Sequence, residues 1–213
     1  MSDRKTGMFH VKRKEHHYEN AAVAVSRETE EKLEVFVKLL EKWNQKINLV
    51  SRQDIENIRK RHIIDSLQLA PFVNGHDKVL DMGSGGGFPA IIVAIVTAVP
   101  VVMVESDARK ASFLREALRV LALEGEVLCA RVEKVNISPV NVVTARALAS
   151  MDVLLKWAVP LLRKEGMGLF LKGKTVTEEI EQARQNWVMD IEVYPSITSS
   201  EGVIIKVTNV EAV

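Results

Sequence analysis

The segment Val79-Leu80-Asp81-Met82-Gly83-Ser84-Gly85-Gly86-Gly87-Phe88-Pro89 joins a short apolar run to a cluster of glycines and then to a second apolar stretch. This spacing predicts a strand over Lys78–Asp81, a tight loop, and a helix over Pro89–Ala98. Proline is tolerated in a helix's first turn, where its missing N–H has no partner to lose. Glycines let the backbone turn sharply and let a ligand approach the main chain without a Cβ in the way. In an open α/β sheet, ligands bind in the crevice beyond the carboxyl ends of the strands.

Downstream of this loop, apolar strands are expected at Val101–Val104, Glu126–Ala130, Val142–Ala145 and Gly168–Leu171. Helices are expected between and after them, at Ala108–Leu123, Met151–Leu162 and Thr177–Trp187. Such alternation predicts an α/β fold: a doubly wound, mostly parallel sheet built from right-handed crossovers and covered on both faces. Two closing strands, Ile191–Tyr194 and Gly202–Val207, have no helix between them and predict an antiparallel hairpin at one edge. Upstream, Leu33, Phe36, Val37, Leu40 and Trp43 recur three and four residues apart, one face of an amphipathic helix over Arg27–Trp43. A second helix is expected from an N-cap at Asp54 to about Leu69, with Pro71 ending it. The expected organisation is therefore a basic flexible tail over 1–26, an N-terminal helical cap over 27–71 and the α/β domain over 72–213.

Composition narrows the class. Of 213 residues, 47% are hydrophobic and 27% charged, which fits a globular protein and argues against disorder. The longest apolar run, Ala90–Met103, contains Thr97 and Pro100 and is too short to span a bilayer. The polar, basic start lacks the apolar core of a signal peptide, and the single Cys129 allows neither an intrachain disulfide nor a cysteine-rich metal site. A cytoplasmic protein is expected. The net charge of +1 does not point to a polyanion, but basic residues cluster in the first eighteen positions and again at Arg59-Lys60-Arg61-His62. Basic tails are common on proteins that meet nucleic acid, and equally common as solvated termini.

The loop's chemistry follows from its spacing. Gly83 and Gly85 fit the first two positions of the dinucleotide fingerprint, but Phe88 stands at the sixth, and no Gly-Lys-Ser/Thr marks a Walker phosphate loop. The pattern Asp-x-Gly-x-Gly-x-Gly over Asp81–Gly87 resembles motif I of class I methyltransferases, where the loop accommodates the amino-acid part of S-adenosylmethionine. Glu105 ends the next strand at about the ~20-residue distance expected of an acid that binds ribose hydroxyls; the plain alternative is an exposed acid at a strand end. Val132 and Glu133 follow the third strand, where a nucleotide-binding sheet meets adenine.

Several segments together resemble one family. Lys42-Trp43-Asn44 with Asn48-Leu49, Arg61-His62-Ile63-Ile64-Asp65-Ser66, the motif I segment, Phe113-Leu114-Arg115, Arg131-Val132-Glu133, Ala145-Arg146-Ala147 and Leu171-Lys172-Gly173 occur in the order found in bacterial small-subunit ribosomal RNA guanine-N7 methyltransferases, also called glucose-inhibited division protein B. The resemblance covers roughly Glu34 to Lys206. Two positions depart from it: Ala90 replaces the usual glycine, and Ser200-Glu201-Gly202 stands where members often carry a basic residue. The first thirty residues match nothing in the family.

The resemblance implies transfer of a methyl group from S-adenosylmethionine to N7 of a guanine in 16S ribosomal RNA, with naked RNA or the small ribosomal subunit as partner, no metal, no membrane and a monomeric enzyme. N7 carries an in-plane lone pair and needs no base, so rate enhancement can come from positioning. Cys129 lacks the Pro-Cys context of cytosine-C5 enzymes, and Thr144-Ala145-Arg146-Ala147 replaces the Asn/Asp-Pro-Pro-Tyr/Phe signature of exocyclic-amine enzymes. Arg146 is the candidate catalytic residue, suited to a phosphate, to the guanine O6 edge or to orienting the base; its alternative is a structural ion pair. The cofactor set is Asp81, Gly83, Gly85, Phe88, Glu105, Val132, Glu133 and Arg146. The RNA set is Arg61, His62 and Lys172. Asp65 is read as a partner for a cap arginine and left outside the site. Trp43 is read as cap packing, and His10, His16 and His17 with Glu15 as a tail without a scaffold for metal. Open alternatives are a methyltransferase of the same core acting on a protein or small molecule, a nicotinamide-dependent dehydrogenase, and a non-catalytic RNA-binding protein.

Overall fold

The structure, a computed structural model, describes residues 25–76 and 78–213 and the backbone of 11–13. Most of the basic tail expected over 1–26, with its three histidines, lies outside the described residues. The strands are β1 (Val11–Arg13), β2 (Val79–Met82), β3 (Val101–Glu105), β4 (Gly125–Cys129), β5 (Val140–Arg146), β6 (Leu162–Lys172), β7 (Trp187–Pro195) and β8 (Val203–Ala212). They form one sheet in the order β1-β7-β8-β6-β5-β2-β3-β4. Every pairing is parallel except those of β8, which runs antiparallel to both β6 and β7. The expected hairpin is present, and β8 is its inner strand, between β6 and β7. Ile204, Ile205 and Val207 are buried on alternating faces of β8, which suits an internal strand covered on both sides.

The helices are α1 (Arg27–Asn44), α2 (Arg52–Glu56), α3 (Asp65–Leu67), α4 (Ala70–Val73), α5 (Ala90–Thr97), α6 (Ala108–Val120), α7 (Met151–Ala158) and α8 (Val176–Ala183). α1 begins at a Ser26 N-cap whose side chain accepts from the Thr29 amide. The single second cap helix expected from Asp54 to Leu69 is instead a broken path. Ser51, not Asp54, caps α2, and a π-helical stretch over Arg59–Ile64 precedes α3. Pro71 does not end this region; it sits in the first turn of α4, a position that asks for no N–H.

The cap shares its core with the α/β layer. Leu33, Phe36 and Leu40 of α1 are buried in the same cluster as Ile91, Ile92, Phe113 and Leu114. Phe36 meets Phe88 edge-on at 5.5 Å and Phe113 at 6.2 Å, while Trp43 packs on Phe113 at 5.8 Å. Trp157 and Trp187 pack against the core on the opposite face of the sheet. α5 is apolar on all sides because it lies beneath α1 as well as against the sheet; Ala90 to Ile95 are all buried.

Asn44 holds the loop between α1 and α2. Its Oδ1 accepts from the amides of Leu49 (2.8 Å) and Val50 (3.0 Å), and its Nδ2 donates to the Val50 carbonyl (3.1 Å). The loop in turn abuts the glycine cluster: a Cβ on Gly86 would stand 3.2 Å from the Leu49 carbonyl oxygen. Asn44→Ala is expected to lower stability by about 3 kcal/mol, since each of the three part-buried hydrogen bonds contributes about 1 kcal/mol. Urea unfolding at constant slope would measure it.

Candidate functional site

β2 lies between β3 and β5, and the chain crosses from one side of it to the other after β4. The loop after β2 therefore opens at the topological switch point, where open α/β sheets bind ligands. Gly83, Gly85 and Gly87 all adopt left-handed φ, at 67°, 51° and 86°. At Gly83 the space is filled as well, since a Cβ would come 2.5 Å from Leu148 Cδ1. Gly85 is different: nothing stands nearer than 3.8 Å to the place of its Cβ. A side chain there would enter open space above the loop.

Asp81 is buried at the end of β2. Its Oδ1 accepts from Thr144 Oγ1 on β5 at 2.7 Å, and its Oδ2 has no hydrogen-bond partner within the protein. Burial pushes the carboxyl up to about 6, against the lowering influence of Ser84, Thr144 and Arg146. Glu105, at the end of β3, is 8% exposed and braces the loop. Its Oε2 accepts from the Gly85 amide (2.9 Å) and its Oε1 from the Asp107 amide (2.7 Å). Val132 and Glu133 begin a 3-10 turn over Val132–Lys134 just past β4, and the Ala130 amide ties that strand end to the Glu105 carbonyl. Asp81, Gly83, Gly85, Glu105, Val132 and Glu133 thus lie along the carboxyl edge of three adjacent strands, β2, β3 and β4.

Arg146 ends β5 on the other side of β2. Its guanidinium donates to the Arg61 carbonyl (3.2 Å) and to His62 Nδ1, lies 3.7 Å from Asp65 Oδ2, and sits over the Phe88 ring at 5.2 Å. Burial lowers its pKa, and the carboxylates of Asp65, Asp81 and Asp54 oppose that shift. His62 stacks on Phe88 at 4.9 Å, and burial followed by the Arg146 charge lowers its pKa to about 4. A neutral imidazole is what the contact requires, because Nδ1 must offer a lone pair to the guanidinium; the proton then belongs on Nε2, which faces Asp54 at 3.7 Å. Phe88, expected beside cofactor, is 4% exposed and forms the shared floor under Arg146 and His62.

Of the expected RNA residues, Arg61 is exposed and pairs with Asp54 at 3.1 Å. Lys172 is 9% exposed, paired with Glu179, and donates to the Ala149 carbonyl at 2.8 Å. Arg61, His62, Arg146 and Lys172 line one groove of about 420 Å³, together with Thr198 and Glu201 from the loop between β7 and β8. Asp65, left outside the site on the sequence, is part of the wall of this groove. The presence of Asp65 in the Arg61–Ser66 block was a signal, but its partner was not: it faces the strand arginine, not one from the cap. Thr144, Leu148 and Gln68 were missed for the same reason, since each matters through a neighbour remote in sequence.

The model of the GidB family, described as rRNA small subunit methyltransferase G, matches residues 29–206. The chain belongs to this family. A relative named ribosomal RNA small subunit methyltransferase G, from Gluconobacter oxydans (strain 621H), is 49% identical over 89% of this chain and 98% of its own. Another of the same name, from Granulibacter bethesdensis, is 46% identical over 91% of each. Among solved structures, M. jannaschii TYW2 in complex with AdoMet superposes with a TM-score of 0.57 at 16% identity, over 79% of this chain and 80% of that one. Cofactor-bound Rv0187 from MTB gives 0.58 at 15% identity, over 84% and 90%. These place the chain in the class I methyltransferase fold read from its sequence. No helix among the described residues is long and apolar enough to cross a membrane.

Proposed function

We propose that this chain transfers the methyl group of S-adenosylmethionine to N7 of a guanine in 16S ribosomal RNA, in the cytoplasm, as a monomer and without a metal ion. What carries the reading is the unsatisfied Oδ2 of Asp81 at the end of β2, followed in the same loop by the open space at Gly85. A buried carboxylate oxygen without a donor is costly, and a ligand ammonium supplies one. The amino-acid end of the cofactor fits that cradle. Glu105 has lone pairs left for ribose hydroxyls, and Val132 and Glu133 stand at the strand end assigned to adenine. When bound, the cofactor supplies a methyl group already activated by a sulfonium.

The protein then has little chemistry of its own to do. N7 needs no deprotonation, so the residues act by holding the base in line and by compensating charge. Arg146 uses two hydrogen bonds of a five-donor fork, and we assign it to the guanine O6 edge. Arg61, the exposed member of the RNA set, is assigned a phosphate; His62 keeps Arg146 in place. Lys172, engaged by Glu179 and Ala149, shapes the groove wall where RNA enters.

Gly85→Ala separates fold from ligand. A left-handed alanine costs roughly 1–2 kcal/mol, so the variant is expected to fold with a slightly lower melting temperature. Its methyl would project into the cradle, and cofactor affinity is expected to fall at least ~10-fold. Calorimetric titration with S-adenosylmethionine checks this; wild-type affinity would move the cofactor elsewhere. The function itself is tested with radiolabelled S-adenosylmethionine and small ribosomal subunits from a strain lacking the enzyme. Label recovered as 7-methylguanosine is expected, and label-free RNA despite cofactor binding would sink the assignment.

A further inference from the structure

Arg146 belongs to a strand of the sheet, yet the groups around its guanidinium come from elsewhere: Arg61, His62 and Asp65 from the cap, and Phe88 from the loop after β2. Asp65 divides its carboxylate between two tasks. Oδ2 faces the guanidinium at 3.7 Å, whereas Oδ1 accepts from Gln68 Nε2 (3.2 Å), Ser196 Oγ (3.3 Å) and Thr198 Oγ1 (2.8 Å). Gln68, 1% exposed, completes the clamp by accepting from the Ile197 amide at 2.8 Å. The other cap acid nearby, Asp54, pairs with Arg61.

We propose that Asp65 is a positioning residue for methyl transfer: it fixes the Arg146 guanidinium over the acceptor site, joins it to the loop between β7 and β8, and touches neither substrate nor cofactor. The inference rests on the function proposed above. Two physical requirements point to it. A long arginine side chain left to itself samples many rotamers, and a buried guanidinium needs a counter-charge to stay in one of them. The reaction adds the second. The N7 lone pair forms the new N–CH3 bond while the S–CH3 pair returns to sulfur, so positive charge moves from the sulfonium to the base. An uncompensated guanidinium next to that base would oppose the transfer. Asp65 offsets its charge from the groove wall, with Oδ1 taken up by Gln68, Ser196 and Thr198.

The test is a double-mutant cycle on the full chain, with wild type, Asp65→Asn, Arg146→Ala and the double variant. Single-turnover transfer to unmodified small subunits is measured beside cofactor affinity and melting temperature. Asp65→Asn is expected to slow transfer by up to ~100-fold, the loss that follows from about an ångström of misplacement. The rate constant should fall more than the KM for subunits rises, with cofactor affinity little changed. The double variant should be no slower than Arg146→Ala alone. A purely structural Asp65 would instead give effects that multiply, and that result, or wild-type transfer by Asp65→Asn, overturns the role. Should Asp65→Asn fail to fold, Thr198→Val removes one bond to the same carboxylate; it is expected to slow wild type but not Arg146→Ala, and slowing both equally overturns the proposal. Wild type that labels no RNA overturns the function, and this role with it, whereas active wild type with multiplying effects overturns the role alone.

Discussion

Arg146→Ala is expected to retain cofactor binding within about tenfold and to lose methyl transfer by a factor on the order of 100, the cost of losing the orientation of the base against the methyl group. The argument begins with placement. β5 delivers Arg146 to the carboxyl edge beside β2, and the guanidinium is held from the cap side by Arg61, His62 and Asp65. Truncation would leave Asp65 and His62 Nδ1 without that partner, so stability should also fall, by roughly 2–3 kcal/mol. Rates must therefore be compared well below the variant's melting temperature. Arg146→Lys is the informative companion. It keeps the charge but loses the planar fork, and a lysine cannot bridge Arg61, His62 and a base edge together. It is expected to recover stability more than rate. Single-turnover label incorporation decides, and a near-wild-type rate in Arg146→Ala would reduce the residue to a structural ion pair.

Asp81→Asn is expected to make the empty protein more stable and the cofactor bind about 30–100-fold more weakly at pH 8, the value of a charge-assisted hydrogen bond. Both halves come from one buried carboxyl. Asn retains an oxygen to accept from Thr144 Oγ1 and removes a charge that burial penalises. The gain at neutral pH is on the order of 1–3 kcal/mol.

The pH dependence has a definite sign. Asp81 is held up to about 6 in the fold against an ordinary value of 3.8. Between those limits the folded chain keeps a proton that the unfolded chain releases, so this group's contribution to stability is lost as pH rises through the window. His62 works in the opposite sense. Its pKa falls from 6.5 to about 4 on folding, so its contribution is complete above the unfolded value and is lost as pH drops toward 4. In wild type the two slopes oppose each other between about pH 4 and 6. Asp81→Asn leaves the histidine slope exposed, and stability of that variant should climb with pH across the window. Cofactor affinity should rise through about pH 6 in wild type, as Asp81 ionises to meet the ammonium, and stay flat in the variant. Thermal unfolding and calorimetric titration from pH 4 to 8 would show both. An Asp81→Asn protein less stable than wild type at pH 8, or one that binds cofactor normally, would contradict this account.

The features legible in the residues alone are those that depend on neighbours along the chain. The apolar run before Asp81, the glycines that need left-handed φ and the proline that opens the next helix specify a strand, a turn and a helix locally. The fold class follows because such units repeat. Glu105 and Arg146 were legible for the same reason: each ends an apolar strand, and parallel strands bring their carboxyl ends to one edge. The order of blocks from Lys42 to Gly173 was enough to name the family. The tertiary structure alone decided where β8 goes, because an apolar closing strand fits an edge or an interior equally well until its neighbours are known. It decided the path of the cap too, where Pro71 reads as a stop yet serves as a start. The larger share of the site was decided there as well. The periodicity of a segment reports which side is buried, not what it is buried against, so Asp65 could not be matched to Arg146, Lys172 to Glu179, or Asn44 to the loop behind Gly86. Those pairings exist because the strand order and the cap set the partners side by side, and a charge's role depends on the charge it faces.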